Sequence, residues 1–282
     1  MLIASWNVNS IRTRIHQVIN WLEYRKPDVL CLQETKVTDK DFPFKPFEKL
    51  GYQVKVYGQK SYNGVAIISK LDFDDYKNGF EGEIEKCDEL SLFDEQKRII
   101  SASINGIRII NVYVPNGSSL NSDKFIYKLD WLNQLKKYLI NQGKRSEYTC
   151  LMGDFNIALS SEDIYDPYKF EGNIMASKLE RESLNNILKD KFIDSFRVFE
   201  ERSGYWSWWD YRNNAFALNK GWRIDHIYIS KNLLPMLKSS VIDRSQRENE
   251  QPSDHAPVMI NLDFQEPFEN LQEEDEEDLF DL

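Results

Sequence analysis

Polar residues that can bind a metal ion or a phosphate group recur in this sequence at the ends of apolar, strand-like runs. The residues placed in this way are Asn7, Glu34, Tyr113, Asn116, Asp154, Asn156, Asp254 and His255. In layered α/β proteins the strand ends open onto loops, so residues that are far apart in sequence can meet in one pocket. A single carboxylate of this kind is most often a solvated loop residue or a helix cap, but the repeated pattern predicts a shared site.

The donor types in this set indicate a hard cation. Carboxylate and amide oxygens suit Mg²⁺, with Mn²⁺ as a substitute, whereas zinc prefers clusters of cysteine and histidine. Glu34 is the first candidate for a ligand. Such an ion neutralises phosphate charge in the transition state while nearby acids handle the protons of the water and the leaving group. The set therefore predicts phosphodiester hydrolysis.

The histidines differ in their suitability for this chemistry. His16 lies at a polar helix start, and His226 directly follows Asp225 in a strand-like run. Successive side chains of a strand point to opposite faces, so His226 cannot share a pocket with Asp225. His255 can donate to the scissile phosphate if a carboxylate such as Asp225 holds its tautomer. The alternative is that His255 is a buried structural histidine.

Short apolar runs rich in β-branched and aromatic residues alternate with segments of helical spacing, which predicts an α/β protein. Strands are predicted at residues 2–6, 28–32, 53–57, 65–69, 99–104, 107–112, 148–152, 224–230 and 256–262. Helices are predicted at residues 14–24, 124–141 and 178–189. The polar, aromatic-bearing segments 157–177 and 204–221 are predicted to be long loops that contact the substrate.

Composition and charge narrow the class of protein. No run approaches the roughly 18 apolar residues of a membrane helix, and the start lacks the features of a secretory signal. We therefore expect a cytoplasmic protein, nucleoid-associated if prokaryotic, without a membrane contact. We expect a monomer because no apolar face or heptad is left over for pairing. Cys31, Cys87 and Cys150 are odd in number, and two of them stand in apolar runs, so we expect buried reduced thiols.

The net charge of −10 is concentrated at one end of the chain. Residues 263–282 contain ten acidic residues and no Lys or Arg, which leaves 36 acidic and 36 basic residues in 1–262. A neutral body can still present a local basic face to phosphates. The pattern predicts a catalytic domain over 1–262 and an acidic, disordered tail over 263–282.

Six motifs follow one another along the chain: SWNVNSIR at 5–12, LQETK at 32–36, NVYVPNG at 111–117, GDFNIA at 153–158, GWRID at 221–225 and PSDHAPV at 252–258. In this order they resemble those of the exonuclease III family of AP endonucleases, within the endonuclease/exonuclease/phosphatase superfamily. One short motif is weak, but six in order are strong. The resemblance implies a four-layered α/β sandwich, with two packed β-sheets between helices and the site at one end.

The resemblance also implies catalytic roles for the matching positions. Glu34 would hold the metal with Asn7, Asn9 and Asp254 close by, and Asp154 would activate the attacking water. Asn156 would orient the water and the phosphate. His255, paired with Asp225, would donate to a phosphate oxygen, although the family also allows it a role as base.

The implied substrate contacts lie on other motifs. Tyr113, Asn116 and Asn9 would contact the DNA near the phosphate. Trp208, Trp222 and Ile224 match the family's pocket for a base-free sugar, whereas Trp209 is expected in the core. Arg223, Arg212 and Lys220 are candidates for phosphate contacts, with surface solvation as the alternative.

The function implied is hydrolysis of double-stranded DNA on the 5′ side of abasic sites, together with removal of nucleotides or blocking groups from 3′ ends. The alternatives are a DNase I-like nuclease, another phosphoesterase of the superfamily, or an inactive binding protein. Ser10 stands where the family usually carries Gly, and 160–177 matches no motif, which leaves the balance of activities open. The last residues, 278–282, loosely resemble peptides that bind bacterial sliding clamps; a purely solubilising end is the alternative.

Overall fold

Twelve β-strands form two mixed sheets in the part of the chain that the computed structural model describes, residues 1–80, 93–142 and 146–264. The first sheet contains β1 (Leu2–Asn7), β2 (Val29–Gln33), β3 (Gln53–Tyr57), β4 (Val65–Ser69), β11 (Leu237–Ile242) and β12 (Val258–Leu262), in the order β11-β12-β1-β2-β4-β3. The second contains β5 (Asp75–Asn78), β6 (Ile99–Ile104), β7 (Ile107–Tyr113), β8 (Thr149–Asp154), β9 (Phe192–Asp194) and β10 (Asp225–Ser230), in the order β5-β6-β7-β8-β10-β9.

Helices lie between the strands in sequence. They are α1 (Ile11–Arg25), α2 (Phe44–Lys49), α3 (Asp123–Gln142), α4 (Pro167–Phe170) and α5 (Lys178–Leu188). α5 begins with a capping box in which Ser177 and Glu180 exchange hydrogen bonds with each other's backbone. None of the helices in the described residues is long and apolar enough to cross a membrane.

The period of two along the strands produces the layers. On β1, Ile3 points into the core between the two sheets, whereas Ala4 and Trp6 point to the outer face, where they pack with α1. The outer face of the second sheet packs in the same way against α3 and α5. Both faces of each sheet are therefore buried, which gives the order helix, sheet, sheet, helix and confirms the predicted four-layered α/β sandwich.

The structure confirms the nine predicted strands and three predicted helices, with ends that differ by a few residues. The strands that were missed, β5, β9 and β11, all lie at the edges of their sheets. Edge strands bury little surface, so their sequences lack the apolar signal on which the prediction depends. The short α2 and α4 were missed as well.

Cys31 and Cys150 are buried free thiols, while Cys87 and residues 265–282 lie outside the described residues.

The strands that carry the polar motifs end at one edge of the molecule. β1 runs parallel to β2 with Asn7 opposite Gln33, and β7 runs parallel to β8 with Tyr113 opposite Asp154. Asn111 of β7 crosses between the sheets: its amide donates to the carbonyls of Leu32 and Ala66, at 2.9 Å each. These bonds hold the two sheets together close to the strand ends.

The close approach of β8 to β7 directly before Asp154 requires a glycine at position 153. It has φ +143°, and a Cβ atom there would lie 1.9 Å from the carbonyl oxygen of Val112 on the neighbouring strand. We expect Gly153→Ala to lower the free energy of unfolding by more than about 2 kcal/mol, because it combines backbone strain with a clash. Urea denaturation followed by circular dichroism measures this difference.

The matched control is Gly172→Ala, where φ is +83° and no atom lies within 4 Å of the added Cβ. Only the strain of the left-handed backbone acts there, so we expect the free energy of unfolding to fall by about 1 kcal/mol. Equal losses in the two variants would contradict the assignment of a packing role to Gly153.

Candidate active site

Glu34, Asp154 and His255 converge at the edge where the strands end. One ligand atom from each residue lies within 4.8 Å of the other two, an arrangement that can hold a metal ion. Glu34 follows β2 of the first sheet, Asp154 ends β8 of the second sheet, and His255 precedes β12. Asp154 and His255 are buried, with Asp154 Oδ2 and His255 Nε2 3.8 Å apart. The convergence predicted from the strand ends is therefore present.

Asn7 connects the two carboxylates of this group. Its amide nitrogen donates to Glu34 Oε1 and to Asp154 Oδ2, at 2.9 Å each, and its amide oxygen accepts from the backbone of Asn9 at 3.0 Å. Asn7 is fully buried. One side chain on β1 thus links a carboxylate of each sheet, which fixes their separation.

His255 is held by Asp225, the residue that the sequence indicated. His255 Nδ1 donates to Asp225 Oδ2 at 2.8 Å, and the hydroxyl of Ser207 donates to the same oxygen at 2.7 Å. Burial alone would lower the pKa of His255, but the carboxylates of Asp225 and Asp154 outweigh it and raise the pKa to about 10. The imidazole is therefore a cation at neutral pH with Nε2–H available as a donor. His226 points to the other face and contacts the carbonyl of Ile157, as the strand period predicted.

The pKa values of the two carboxylates shift in opposite directions. Burial raises the pKa of Asp154, and the nearby charges of Asp225 and Glu34 act in the same direction against the opposing charge of His255. Burial would also raise the pKa of Glu34, but the charge of Lys36 and the hydrogen bond from Asn7 bring it below its usual value. With His255 protonated, the oxygen donors of Glu34 and Asp154 remain for an ion, which fits Mg²⁺ or Mn²⁺ better than zinc.

The predicted phosphate contacts lie beside Asp154. The amide of Asn116 donates to Asn156 Oδ1 at 2.9 Å, and the backbone N–H of Asn156 donates to Asp154 Oδ1 at 2.9 Å. Tyr113 stands opposite Asp154 in the ladder, and its pKa is raised by burial and by the charge of Glu34. These three residues form one side of the site.

An open cavity of about 570 Å³ adjoins the site. Its walls include Met175 and Trp208, from the two predicted loops, and Trp222, which directly follows the second loop. Trp208 Nε1 donates to Asp254 Oδ2 at 3.0 Å, and Asn9 donates to Asp254 Oδ1 at 2.9 Å. Asp254 is thus hydrogen-bonded through both oxygens and stands outside the group formed by Glu34, Asp154 and His255, so its role as a metal neighbour stays a prediction.

Two residues that were predicted to contact the substrate are buried in the structure. Arg223 is 1% exposed, and its guanidinium pairs with Asp163 and Asp194 inside the protein. It cannot reach a phosphate. Ile224 is also 1% exposed, and it packs in one apolar cluster with Trp222. It is not among the residues that line the cavity. The burial of Arg223 depends on tertiary structure, because the acids that neutralise it come from distant parts of the chain.

Several supporting residues were not among the predicted site residues. Ser207 accepts from the backbone of Ile224 and Asp225 at 3.0 Å while donating to the Asp225 carboxylate. The indole of Trp6 donates to the carbonyl of His255 at 3.1 Å. Lys128 is buried and donates to the backbone carbonyl of Asn156, whose side chain bonds to Asn116. Of these, Trp6 stands inside the first motif, and Lys128 places a charge on the apolar face of a predicted helix; Ser207 stands in neither.

The chain is similar to known proteins along most of its length. A sequence model of the endonuclease/exonuclease/phosphatase family matches residues 4–255. The chain belongs to this family. It is 35% identical to exodeoxyribonuclease III of Haemophilus influenzae, over 92% of this chain and 98% of the relative.

Solved structures give the same result. The 3′ phosphatase NExo from Neisseria, bound to a product DNA hairpin, is 38% identical, with a TM-score of 0.88 over 94% of this chain and 100% of that one. An AP endonuclease from Archaeoglobus fulgidus is 36% identical, with a TM-score of 0.86 over the same shares. These relatives confirm the predicted family, fold and class of enzyme, a hydrolytic nuclease of DNA repair.

The buried pair of Asp163 and Arg223 makes stability depend on pH. Burial alone would raise the pKa of Asp163, but the charge of Arg223 lowers it, from 3.8 to about 2. Because the folded pKa lies below the unfolded one, the stabilisation is complete above about pH 4 and is lost as the pH falls towards 2; a shift of this size is worth about 2 kcal/mol. Asp163→Asn should lower the free energy of unfolding at pH 7 by at least about 2 kcal/mol.

Urea titrations between pH 2 and 7 measure this dependence. The Asp163→Asn variant should also lose stability less steeply than the wild type below pH 4, because the titrating carboxyl is gone. The exposed neighbour Glu162 provides the control, since Glu162→Gln should leave the pH profile unchanged. Parallel profiles for wild type and Asp163→Asn would show that this pair does not set the acid sensitivity.

Proposed function

We propose that this nuclease hydrolyses the backbone of double-stranded DNA on the 5′ side of abasic sites and removes nucleotides or blocking groups from 3′ ends. The observation that carries the proposal is the hydrogen-bonded group of Glu34, Asn7, Asp154, Asp225 and His255 beside an aromatic cavity. Relatives named exodeoxyribonuclease III, AP endonuclease and 3′ phosphatase support both activities.

The proposed roles follow from protonation and hydrogen bonding. Asp154 accepts a proton from the attacking water, since its raised pKa makes its ionised form a stronger base than an ordinary aspartate. His255 donates from Nε2 to a phosphate oxygen while Asp225 holds Nδ1. Tyr113, Asn116 and Asn156 position the phosphate.

Glu34 is the proposed metal ligand, with Asn7 and Asp254 as neighbours. The proposed ion is Mg²⁺, for which Mn²⁺ can substitute, and when bound it supplies positive charge that neutralises the phosphate in the transition state. Lys36 bonds to Glu34 at 2.8 Å and lowers the pKa of that carboxyl together with Asn7, after burial is overcome. Glu34 is therefore kept ionised and ready to bind a cation.

The cavity is the proposed site for a sugar that has lost its base. Trp208 and Trp222 present apolar rings, and an open volume of about 570 Å³ exceeds what a deoxyribose needs. Lys220 and Arg212 also line it and are the proposed contacts to flanking phosphates.

We also propose that the enzyme acts as a monomer in the cytoplasm, where its free thiols Cys31 and Cys150 would stay reduced.

The test is cleavage of a labelled duplex that carries one abasic analogue, with Mg²⁺ or with a chelator. We expect cutting on the 5′ side that requires the ion and falls at least about a hundredfold in Glu34→Gln and in His255→Ala, because each change removes a positioned charge or donor. His16→Ala is the control, since His16 is exposed on α1. The 3′ activity is measured on duplexes that end in a 3′ hydroxyl or a 3′ phosphate.

Other outcomes identify the alternatives. Equal nicking of undamaged duplex would indicate a DNase I-like nuclease. An intact duplex together with release of phosphate from a phosphoinositide would show that the superfamily is right and the substrate is wrong. Full activity of Glu34→Gln and His255→Ala would contradict the assignment of the site.

A second proposal concerns residues 278–282, DLFDL, which lie outside the described residues. We propose that they dock on a bacterial sliding clamp, with the acidic residues before them keeping the tail off DNA until it is docked. The purified full-length chain should retain the clamp in a pull-down, and deletion of 265–282 or replacement of Leu279 and Phe280 by alanine should abolish retention. Unchanged retention would mean that the tail is only solubilising.

A further inference from the structure

Lys128 places a charge on the apolar face of α3. The buried face of this helix consists of Phe125, Lys128, Trp131, Leu132, Leu135, Tyr138 and Leu139 among others, and the Lys128 side chain is 0% exposed. An ammonium group in such a place is strongly unfavourable unless each of its protons finds an acceptor. The acceptors of Lys128 therefore show what the charge does.

The Lys128 ammonium uses all three of its protons on acceptors near the active site. Nζ donates to the carbonyl oxygen of Asn156 at 2.8 Å, to the carbonyl oxygen of Asn116 at 3.2 Å and to Glu180 Oε1 at 2.5 Å. An ammonium has three protons to give. None is left for a substrate, so Lys128 is not a catalytic residue.

Both carboxylate oxygens of Glu180 accept hydrogen bonds as well. Its Oε1 also accepts from the backbone of Met175 at 3.0 Å, and its Oε2 accepts from the backbone and the hydroxyl of Ser177, at 3.0 and 2.6 Å. Met175 is a non-glycine residue at φ +68° and lines the cavity, and its sulfur lies 3.5 Å from the amide nitrogen of Asn116. The pair thus connects the asparagines to the cavity wall.

The asparagine side chains depend on the peptides that Lys128 holds. Asn116 Nδ2 donates to Asn156 Oδ1 at 2.9 Å, and Asn156 Nδ2 donates to the carbonyl of Val114 at 3.0 Å. Asn156 has φ +50°, a conformation that surrounding bonds must maintain. Without the ammonium, the buried carbonyl of Asn156 would lack a donor, and its peptide would turn to find one. The carbonyl of Asn116, an exposed residue, would lose the bond that fixes its direction.

We propose that Lys128 and Glu180 are positioning residues, which hold the backbones of Asn116 and Asn156 and thereby aim the two amide groups at the scissile phosphate. The inference rests on the proposed function, in which these asparagines contact the phosphate. Misplacement of such a group by about 1 Å costs up to roughly a hundredfold in rate. Substrate binding depends mainly on the cavity and the surface cations, so it should be little affected.

The decisive variant is Lys128→Met combined with Glu180→Gln. It removes both buried charges together, because a single change would leave an unpaired ion that could prevent folding. We expect kcat to fall about ten- to a hundredfold while KM for the duplex changes by less than about threefold. A change in KM without a fall in kcat would overturn the proposal. So would an unchanged kcat in a variant that is shown to be folded.

Two controls separate positioning from general destabilisation. Lys178→Met with Glu182→Gln makes the same replacements in an exposed ion pair of α5 and should leave kcat unchanged. Leu135→Ala opens a cavity under the same helix and lowers stability without touching the asparagines. Its kcat below the melting temperature should match the wild type; a loss equal to that of the double variant would mean that Lys128 is merely structural.

Coupling to Asn156 is the sharpest readout. If Lys128 and Glu180 act through the asparagines, the double change should lower kcat by less than about threefold in an Asn156→Ala background, because residues that act as a unit are not additive. A full, additive loss would overturn the proposal.

The kinetics are measured on whichever DNA substrate the wild type cleaves, so failure on abasic duplex alone leaves this test intact. If no DNA is cleaved, the proposed function fails, and hydrogen exchange reports on the positioning instead. The double variant should then exchange faster than the wild type at 114–118 and 154–158, and unchanged protection there would refute it.

Discussion

The two sheets of this protein hold one carboxylate each at a separation at which the pair, with His255, could hold a metal ion. Glu34 follows a strand of the first sheet and Asp154 ends a strand of the second, and the amide nitrogen of Asn7 bonds to both. Two buried carboxylates repel each other, so this placement is unfavourable without compensation. The compensation comes from the Asn7 donor, the Lys36 ammonium and the His255 cation. The remaining features of the site either maintain this separation or use it.

Buried charges support the loops around the site in pairs. Arg223 joins Asp163 to Asp194 beneath the cavity wall, and Lys128 joins Glu180 to the asparagine loops. Compared with apolar packing of similar volume, such pairs contribute little net stability, because desolvation offsets much of the attraction. Their value here is directional: each hydrogen bond fixes one peptide or one side chain. Loops that carry catalytic groups need that precision, since apolar contacts hold a position less specifically than hydrogen bonds do.

Much of this molecule could be predicted from local sequence. Eight of the nine predicted strands are central, where both faces are buried and the apolar signal is strong, and the ninth, β3, is an edge strand that still alternates apolar residues. Polar residues at the ends of parallel strands were correctly expected to meet. The strand period alone separated Asp225 from His226. The ordered motifs predicted the family, the four-layered fold and the class of enzyme, while the roles of the individual site residues stay predictions.

The sequence by itself thus determined the layers, the family and the edge at which chemistry gathers, because periodicity and strand ends are local properties. Only the tertiary structure decided how each polar side chain is neutralised. Arg223 was predicted to contact phosphate, but Asp163 and Asp194 enclose it; Ile224 is not among the residues that line the cavity. Lys128 matched no motif, yet it bonds to both asparagine loops. The edge strands β5, β9 and β11 are defined by their neighbours and not by their own apolar residues. Each of these features depends on a partner that is distant in the chain, and the pairing of distant charges and donors is set by packing geometry, which no local pattern encodes.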